Sequence, residues 1–537
     1  MFRAALASLL QAVNCPCCLI DRARAVNKKS ALLLILCWLG LWACGGDDPV
    51  APEAREMPIE EVLDGAVFVT KDPNGVTPLA AEATFRTKFP VSVTIAVLGP
   101  EPLVHEFPEA ATEHTIAVLG LYPGTRNLVE LRLTDAREFY AVDTLEILTD
   151  SLPEFFPSVE VVTAAGSGME PGWTLSSLAI GDNGAFRSQP MMFDANGDIR
   201  WFMDLDSMVY MVERFANGNL LIGRNNTVYE FDMLGTEIHR WDLPGYTFHH
   251  DVIEEPDGNL LVAVRKQGLA TSDDHVIEVD RSSGAIVNEW DLRQVLDVYR
   301  RDLVDDDVDW LHMNGVWYSA ADDALIISGR NQAVVKVTRD NELVWILGPH
   351  KGWGPAGPDA DGHETSDFLL TAVDSDGSPY PDLVQQGDEG ASDFDWPWGQ
   401  HAPMILPNGN LFLFDNGLTR NFSPDGPTYS RGVEYVIDES QMTVRQVWQY
   451  GEERGPEFYS VIISDVDLLP TTGNRLIMPG IVFGADPRAL VTEVTYPGKQ
   501  VVFEALIHFK NLLSSGSLSW GNFDLVYRSE RLPLYPE

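Results

Sequence analysis

Cysteine is confined to the first 44 residues. Cys15, Cys17, Cys18, Cys37 and Cys44 are the five in the chain, and none follows. The body beyond Cys44 therefore has no disulfide and no thiolate-held metal. Basic residues are also scarce: 37 Lys and Arg stand against 80 Asp and Glu, for a formal net charge of −43. Such a surface repels nucleic acid, which excludes DNA and RNA as partners, and it argues against docking on anionic headgroups. Histidine is sparse, with eleven in 537 residues, so a patterned set of them carries information. What is abundant is ordinary apolar content, which makes the chain globular, and its length fits two folded domains plus a leader.

Lys28 and Lys29 precede an apolar run from Ala31 to Trp42, which ends at Ala43-Cys44-Gly45. A basic start, a short apolar stretch and a small-residue cleavage site make a secretory signal. The run is too short for a comfortable membrane span. Leu41-Trp42-Ala43-Cys44 resembles a bacterial lipobox, in which Cys44 receives lipid and becomes the first mature residue. Residues 1–44 are thus expected to be a leader and 45–58, rich in Asp, Pro and Ala, a tether. The expected location is the periplasm or cell surface of a Gram-negative bacterium, with the membrane reached through a lipid anchor only. An ordinary cleaved signal or an uncleaved membrane anchor is the alternative.

From residue 59 to 150 the pattern is strand-like. Val91, Val93, Ile95 and Val97 alternate with smaller or polar residues, Gly120-Leu121-Tyr122-Pro123-Gly124 forms a turn, and no convincing long helix is present. A small N-terminal β-sandwich is expected here. From 155 to 537 the chain repeats itself. Turns of the type Asn217-Gly218-Asn219-Leu220 recur at Asp257-Gly258-Asn259, Asn408-Gly409-Asn410 and Gly473-Asn474, with Asp322-Asp323 as a degenerate copy. A second mark follows each turn: Trp201, Trp241, Trp290, Trp345 and Trp448, with Phe503 as a weaker sixth. That spacing means one four-stranded blade per repeat, so the fold expected is all-β, a six-bladed β-propeller behind a β-sandwich. One interval is long. Its excess, 351–395, holds eleven acids and one Lys. With no EF-hand spacing it is expected as a solvated acidic loop insertion, with Ca²⁺ binding through Asp359, Asp361 or Asp374, or a lid over the residues that follow it, as alternatives.

Those residues include His401, nine before Asn410, as His250 is nine before Asn259; His312 begins Leu311-His312-Met313-Asn314 just ahead of the degenerate copy. Equivalent positions in a propeller face the central channel, so these imidazoles should converge at one mouth. Arg330 follows a strand in Gly329-Arg330-Asn331 and can be turned to the same place. His249 adjoins His250, and strand alternation lets only one of the two point inward. Three converging His could also hold zinc, but an Arg beside a metal is unfavourable and no zincin spacing occurs, so no metal and no cofactor are expected. An Arg fork with imidazoles suits a tetrahedral oxyanion, and neutral imidazole is a competent nucleophile. The pattern alone gives an oxyanion transferase and does not choose sulfate over phosphate.

The stretches His249-His250-Asp251, Leu311-His312-Met313-Asn314-Gly315-Val316, Ser328-Gly329-Arg330-Asn331-Gln332, Trp345-Ile346-Leu347-Gly348, Gln400-His401-Ala402 and Phe414-Asp415-Asn416-Gly417 resemble the bacterial arylsulfate sulfotransferase family, the type that needs no nucleotide sulfate donor. Tyr429-Ser430-Arg431, Glu434-Tyr435-Val436-Ile437-Asp438 and Gly120-Leu121-Tyr122-Pro123 add to the resemblance. It implies ping-pong sulfuryl transfer from a phenolic sulfate to a phenol acceptor through a sulfohistidine. It implies His401 as the nucleophile, with His250, His312, Asn314 and Arg330 holding and polarising the sulfuryl group. A homodimer is compatible with it. Two other classes stay open at this point: a non-catalytic surface propeller that binds a partner or glycan, and an aryl sulfatase.

Overall fold

A computed structural model describes residues 55–536 apart from 206, 208, 210, 424–427 and 512–519. The leader, most of the tether and the Cys44 lipidation site lie outside the described residues. No described helix is long and apolar enough to cross a membrane.

The first domain is built on two long strands, Ala81–Val97 and Leu103–Val118, paired along most of their length. The first half of Ala81–Val97 also pairs with Phe68–Lys71 and the second half with Arg126–Asp135. Register breaks between Arg86 and Val91, where Pro90 cannot donate to the ladder. Alternate residues Val91, Val93, Ile95 and Val97 are buried, as the alternation predicts, and their cluster continues into the first two propeller blades through Trp201, Val212 and Leu220. Arg200 fastens the two domains. Its guanidinium donates to Gly120 O at 2.9 and 2.7 Å and lies over the ring of Tyr122.

Six further sheets form the blades. The second to fifth are consecutive, with innermost strands Val212–Arg214, Tyr246–Glu254, Met313–Ser319 and His401–Ile405. The first and sixth blades are composite. Ser158–Thr163 is the outermost strand of the sixth blade, and the C-terminal strand Leu525–Leu532 is the innermost strand of the first. The ring is therefore closed twice by strand pairing, once in the first blade and once in the sixth.

The recurring tryptophans explain how blades stack. Each sits buried on the fourth strand of its blade. Its indole N–H reaches the turn before the fourth strand of the next blade: Trp201 to Met233 O, Trp241 to Arg281 O, Trp290 to Thr338 O and Trp448 to Pro497 O, at 2.8 to 3.3 Å. Trp345 donates to the Glu439 carboxylate at 2.9 Å. The recurring turns carry a second device. Asn219, Asn259, Asn410 and Asn474 each donate to a carboxylate on the third strand, Glu230, Glu278, Glu434 and Glu493. An arginine of the next blade approaches each of those glutamates. The degenerate copy inverts the charge: Lys336 takes the glutamate's register and pairs with Asp322 and with Glu439 of the next blade.

The acidic insertion is folded. Thr371–Ala372 adds a parallel strand to the outer edge of the fifth blade, Asp382–Gln386 is a short helix, and Leu370, Val384, Phe394, Trp396 and Trp398 join the core of blades four and five. Asp374 is occupied in its own turn, accepting from Asp376 N and Ser378 N. Among the described residues, no group of three potential ligands converges in the insertion.

Candidate active site

Four innermost strands break register at one level: between Phe248 and Val252, Met313 and Gly315, His401 and Met404, and Val526 and Ser529. Bulges re-aim side chains next to functional sites. Here His250 (φ 62°), His312 (φ 48°) and Ala402 (φ 49°) adopt left-handed backbone, a strain of about 1–3 kcal/mol each that the surrounding ladders hold in place. The bulge overturns the expectation that only one of His249 and His250 turns inward. Their ring centroids lie 5.3 and 5.0 Å from that of His312, and 3.9 Å from each other.

The structure joins four side chains into one hydrogen-bonded chain. Tyr527 OH lies 2.6 Å from His250 Nδ1, His250 Nε2 lies 3.1 Å from His312 Nε2, and His312 Nδ1 lies 2.6 Å from Asp309 Oδ2. Burial, together with Arg330, holds the pKa of His312 well below the usual imidazole value, and burial with neighbouring cations does the same for His250. Both rings are neutral at neutral pH. Burial pushes the Asp309 carboxyl up to about 6, so it is still mainly ionised there and can only accept. The tautomers follow in sequence. His312 donates from Nδ1 to Asp309, so its Nε2 accepts from His250 Nε2–H, and His250 Nδ1 accepts the Tyr527 hydroxyl.

His401 stands apart from this chain. It is 2 % exposed, and its Nδ1 lies 2.7 Å from Asn416 Oδ1 and 3.2 Å from Gly399 O. Both partners are acceptors. Nδ1 therefore carries the hydrogen and Nε2 keeps its lone pair. Burial lowers the His401 pKa well below the usual value, Asn416 opposing and Arg330, His312 and Arg528 reinforcing the shift. Both flanks of the ring are anchored: Asp415 accepts from Trp398 N and Gly417 N and pairs with Arg420 and Arg431.

Arg330 follows strand Ala324–Gly329, and its backbone N–H donates to His312 O. Its half-buried guanidinium depresses the basicity of His249, His250, His312 and His401 alike. Asn314 is fully buried; Nδ2 donates to Gln400 O at 2.8 Å, and Oδ1 has no hydrogen-bond partner. The structure thus sets His250 against His312, brings Arg330 near enough to act on both and on His401, and ties Asn314 to Gln400 beside His401, and it adds Tyr527, Asp309 and Asn416. Asn416 lies within the stretch Phe414-Asp415-Asn416-Gly417. Tyr527 carried no repeat mark, because its strand belongs to a composite blade.

Among the described residues two sets of side chains have metal-ligand spacing, His249 with His250 and His312, and Asp273 with Asp309 and His312. Both need His312, whose two nitrogens are already hydrogen-bonded, and the Arg330 charge acts on the same rings. One step further along the same strands lies a cavity of about 240 Å³ lined by Glu213, Asp251, Asp465, Asp467, Arg528 and Glu530 among others. Burial raises the carboxyls of Glu213 and Asp467 to about 8 and that of Asp465 to about 6.

The fold and the site together define a β-propeller enzyme with a histidine cluster on its inner strands. The profile of the arylsulfotransferase (ASST) family matches residues 153–514, and that of the arylsulfotransferase Ig-like domain matches residues 68–149. The chain belongs to the arylsulfotransferase family. It is 31% identical over 465 residues to the arylsulfate sulfotransferase AssT of Escherichia coli O6:H1, covering 73% of this chain and 75% of that protein. It is 29% identical over 535 residues to the arylsulfate sulfotransferase AssT of Lelliottia amnigena, covering 80% and 86%. Among solved structures, the Dos1 propeller aligns with 88% of this chain and 95% of that one at 9% identity and a TM-score of 0.28, a likeness too weak to bear on function.

Proposed function

We propose that the protein transfers the sulfuryl group of a phenolic sulfate ester to a phenol by a ping-pong route, with His401 as the carrier. The observation that supports this most directly is the ring itself: a buried neutral imidazole with Nδ1 pinned by two acceptors and its Nε2 lone pair left for sulfur. In the first half-reaction that lone pair forms the N–S bond as the S–O bond to the phenol breaks. The electron pair leaves on the phenoxide. Arg330 stabilises charge on the sulfuryl oxygens, where such fixed charge is worth most. The phenoxide takes the Nε2 proton of His250, the Tyr527 hydroxyl passes its own proton to His250 Nδ1, and the negative charge waits on the tyrosine oxygen. In the second half-reaction the acceptor phenol attacks sulfur, its proton returns to the same pair, and the N–S electrons return to Nε2. A phenol pKa of about 10 asks only modest acid–base help.

Incubation with 4-nitrophenyl sulfate and a phenol should give nitrophenolate and the sulfated phenol in equal amounts, and His401→Ala should abolish both. Full activity in the alanine variant contradicts the assignment. Free sulfate in place of sulfated phenol makes the enzyme a sulfatase, and no turnover with any aryl sulfate makes it a binding propeller. We propose further that Cys44 carries the lipid that tethers the exported enzyme. Cys44→Ala should then abolish lipid labelling and move the protein to the soluble fraction; unchanged labelling counts against it.

A further inference from the structure

We infer that Asn416 is a positioning residue that keeps the Nδ1 hydrogen on His401 throughout the cycle, so that a sulfuryl group on Nε2 remains a readily discharged donor. This deepens the sulfohistidine reading and rests on it.

The orientation of the Asn416 amide is fixed by what surrounds it. Its Nδ2 donates to two backbone carbonyls, Ser460 O and Ile463 O, both at 2.8 Å. A flipped amide would set its oxygen against both carbonyls, so Oδ1 must face His401. The carbonyls are themselves held. Ile463 (φ 53°) and Ser464 (φ 92°) adopt left-handed backbone, unusual for non-glycine residues, and at Ile463 a genuine outlier for a β-branched one. Ser460 N donates to Ser430 Oγ at 2.9 Å, and Ser430 Oγ donates to Asn416 O at 2.7 Å. Ser464 Oγ lies 2.9 Å from Ser460 Oγ, and Gly480 N and Ile481 N donate to these two hydroxyls. Asn416 is fully buried. The loop therefore works as a lock on the amide, and through it on the imidazole tautomer.

The chemistry depends on the partner being an amide. While sulfur sits on Nε2, the ring with Nδ1–H is cationic, and its leaving group is neutral imidazole. If Nδ1 lost its hydrogen to a carboxylate, the leaving group would become an imidazolide anion, and discharge to a phenol would be slow. The amide oxygen accepts a hydrogen bond but takes no proton at neutral pH. The same site shows the opposite pairing at His312, whose Nδ1 faces the Asp309 carboxylate. Two imidazoles are given two roles by two partners: the one on a carboxylate serves the proton chain, and the one on an amide carries the sulfuryl group. In both half-reactions the Nδ1 hydrogen stays where it is, and all bond changes occur at Nε2.

The test is Asn416→Asp in the full chain, with the two half-reactions resolved by stopped flow. A carboxyl set against two carbonyls has a raised pKa, so it should titrate within about pH 5 to 9. Below its pKa the neutral acid mimics the amide, and discharge of the sulfated enzyme to phenol should match the unsubstituted protein. Above it, discharge should slow by about tenfold or more, while the nitrophenolate burst from the donor half-reaction stays intact. Equal losses in both half-reactions, or a discharge rate that ignores pH, overturn the role of Asn416. Asn416→Ala covers the case in which the aspartate variant does not fold. It leaves only the longer Gly399 O contact to hold the hydrogen on Nδ1, so the Nε2–H tautomer gains population and the burst should slow by about tenfold with sulfur still found on His401; an unchanged burst overturns the inference. Absence of a burst in the unsubstituted enzyme, or sulfur on another residue, instead removes the sulfohistidine reading beneath it.

Discussion

Replacing Asp415 with Ala should lower both stability and turnover, by amounts that follow from its contacts. Asp415 is fully buried and accepts from Trp398 N at 2.9 Å, Gly417 N at 3.0 Å, Arg420 Nη2 at 2.9 Å and Arg431 Nε at 2.9 Å. Burial pulls both guanidinium pKa values down; nearby anionic groups, Asp415 and Asp395 among them, more than offset this and hold both above the ordinary value. Without Asp415, two buried cations lose their shared carboxylate. Breaking such a pair costs about 3–5 kcal/mol. An unfolding entropy of about 2.1 cal/mol/K per residue, over the roughly 480 residues of the body, gives about 1 kcal/mol/K. The midpoint should therefore fall by about 3–5 °C in a calorimetric scan. Trp398 and Gly417 flank the residues that set His401 and Asn416, so kcat should fall by about tenfold, while Asp415→Asn, which still accepts through one oxygen, should lose less of both. A midpoint within about 1 °C of the unsubstituted protein would refute the view that this carboxylate holds the site together.

Trp290→Phe removes one indole donor and leaves Thr338 O with Asn341 N as its donor, which should cost about 0.5–1.5 kcal/mol with kcat unchanged; thermal scans beside steady-state kinetics check this. Tyr527→Phe and His312→Asn interrupt the proton chain and should lower turnover by about 10²-fold or more with poorly acidic phenols. The loss should be smaller for a nitrophenol, and an equal loss for all phenols contradicts the chain. The depressed histidine pKa values also fix the sign of one pH effect. Below the unfolded value of about 6.5 the unfolded state binds protons that the folded site refuses, so stability falls as pH drops through that region. The cavity carboxyls act in the other direction. Glu213 and Asp467, raised to about 8, bind protons when folded that they release when unfolded, so their contribution is lost as pH rises from the ordinary carboxyl range through about 8. Glu213→Gln should accordingly stabilise the protein more at alkaline than at mildly acidic pH, as read by the unfolding midpoint.

The repeat was legible because its physics is local. Asn-Gly turns and fourth-strand tryptophans each occupy one blade and its neighbour, so six marks were enough to expect six blades. The composite blades were not legible in that way. Leu525–Leu532 pairs with Trp173–Asp182 across most of the chain, and nothing near Tyr527 marks it as the neighbour of His250. Counting positions placed His250, His312 and His401 at equivalent levels, but it could not anticipate the bulges that bring His249 beside His312. Asn416 was visible as part of a motif, whereas its orientation depends on Ser460 and Ile463, which belong to the next blade. The insertion looked like a solvated loop because acids dominate its composition. Its interleaved Leu370, Val384 and Phe394 are what pack it onto the blades.

The most direct measurement is to mix the enzyme with 4-nitrophenyl sulfate in the absence of acceptor, quench, digest, and locate the added SO₃ by mass spectrometry. One sulfuryl group per chain on the peptide containing His401, released on adding phenol, is the predicted result. A chain that turns over donor and acceptor yet carries no sulfuryl group on His401 would contradict the account.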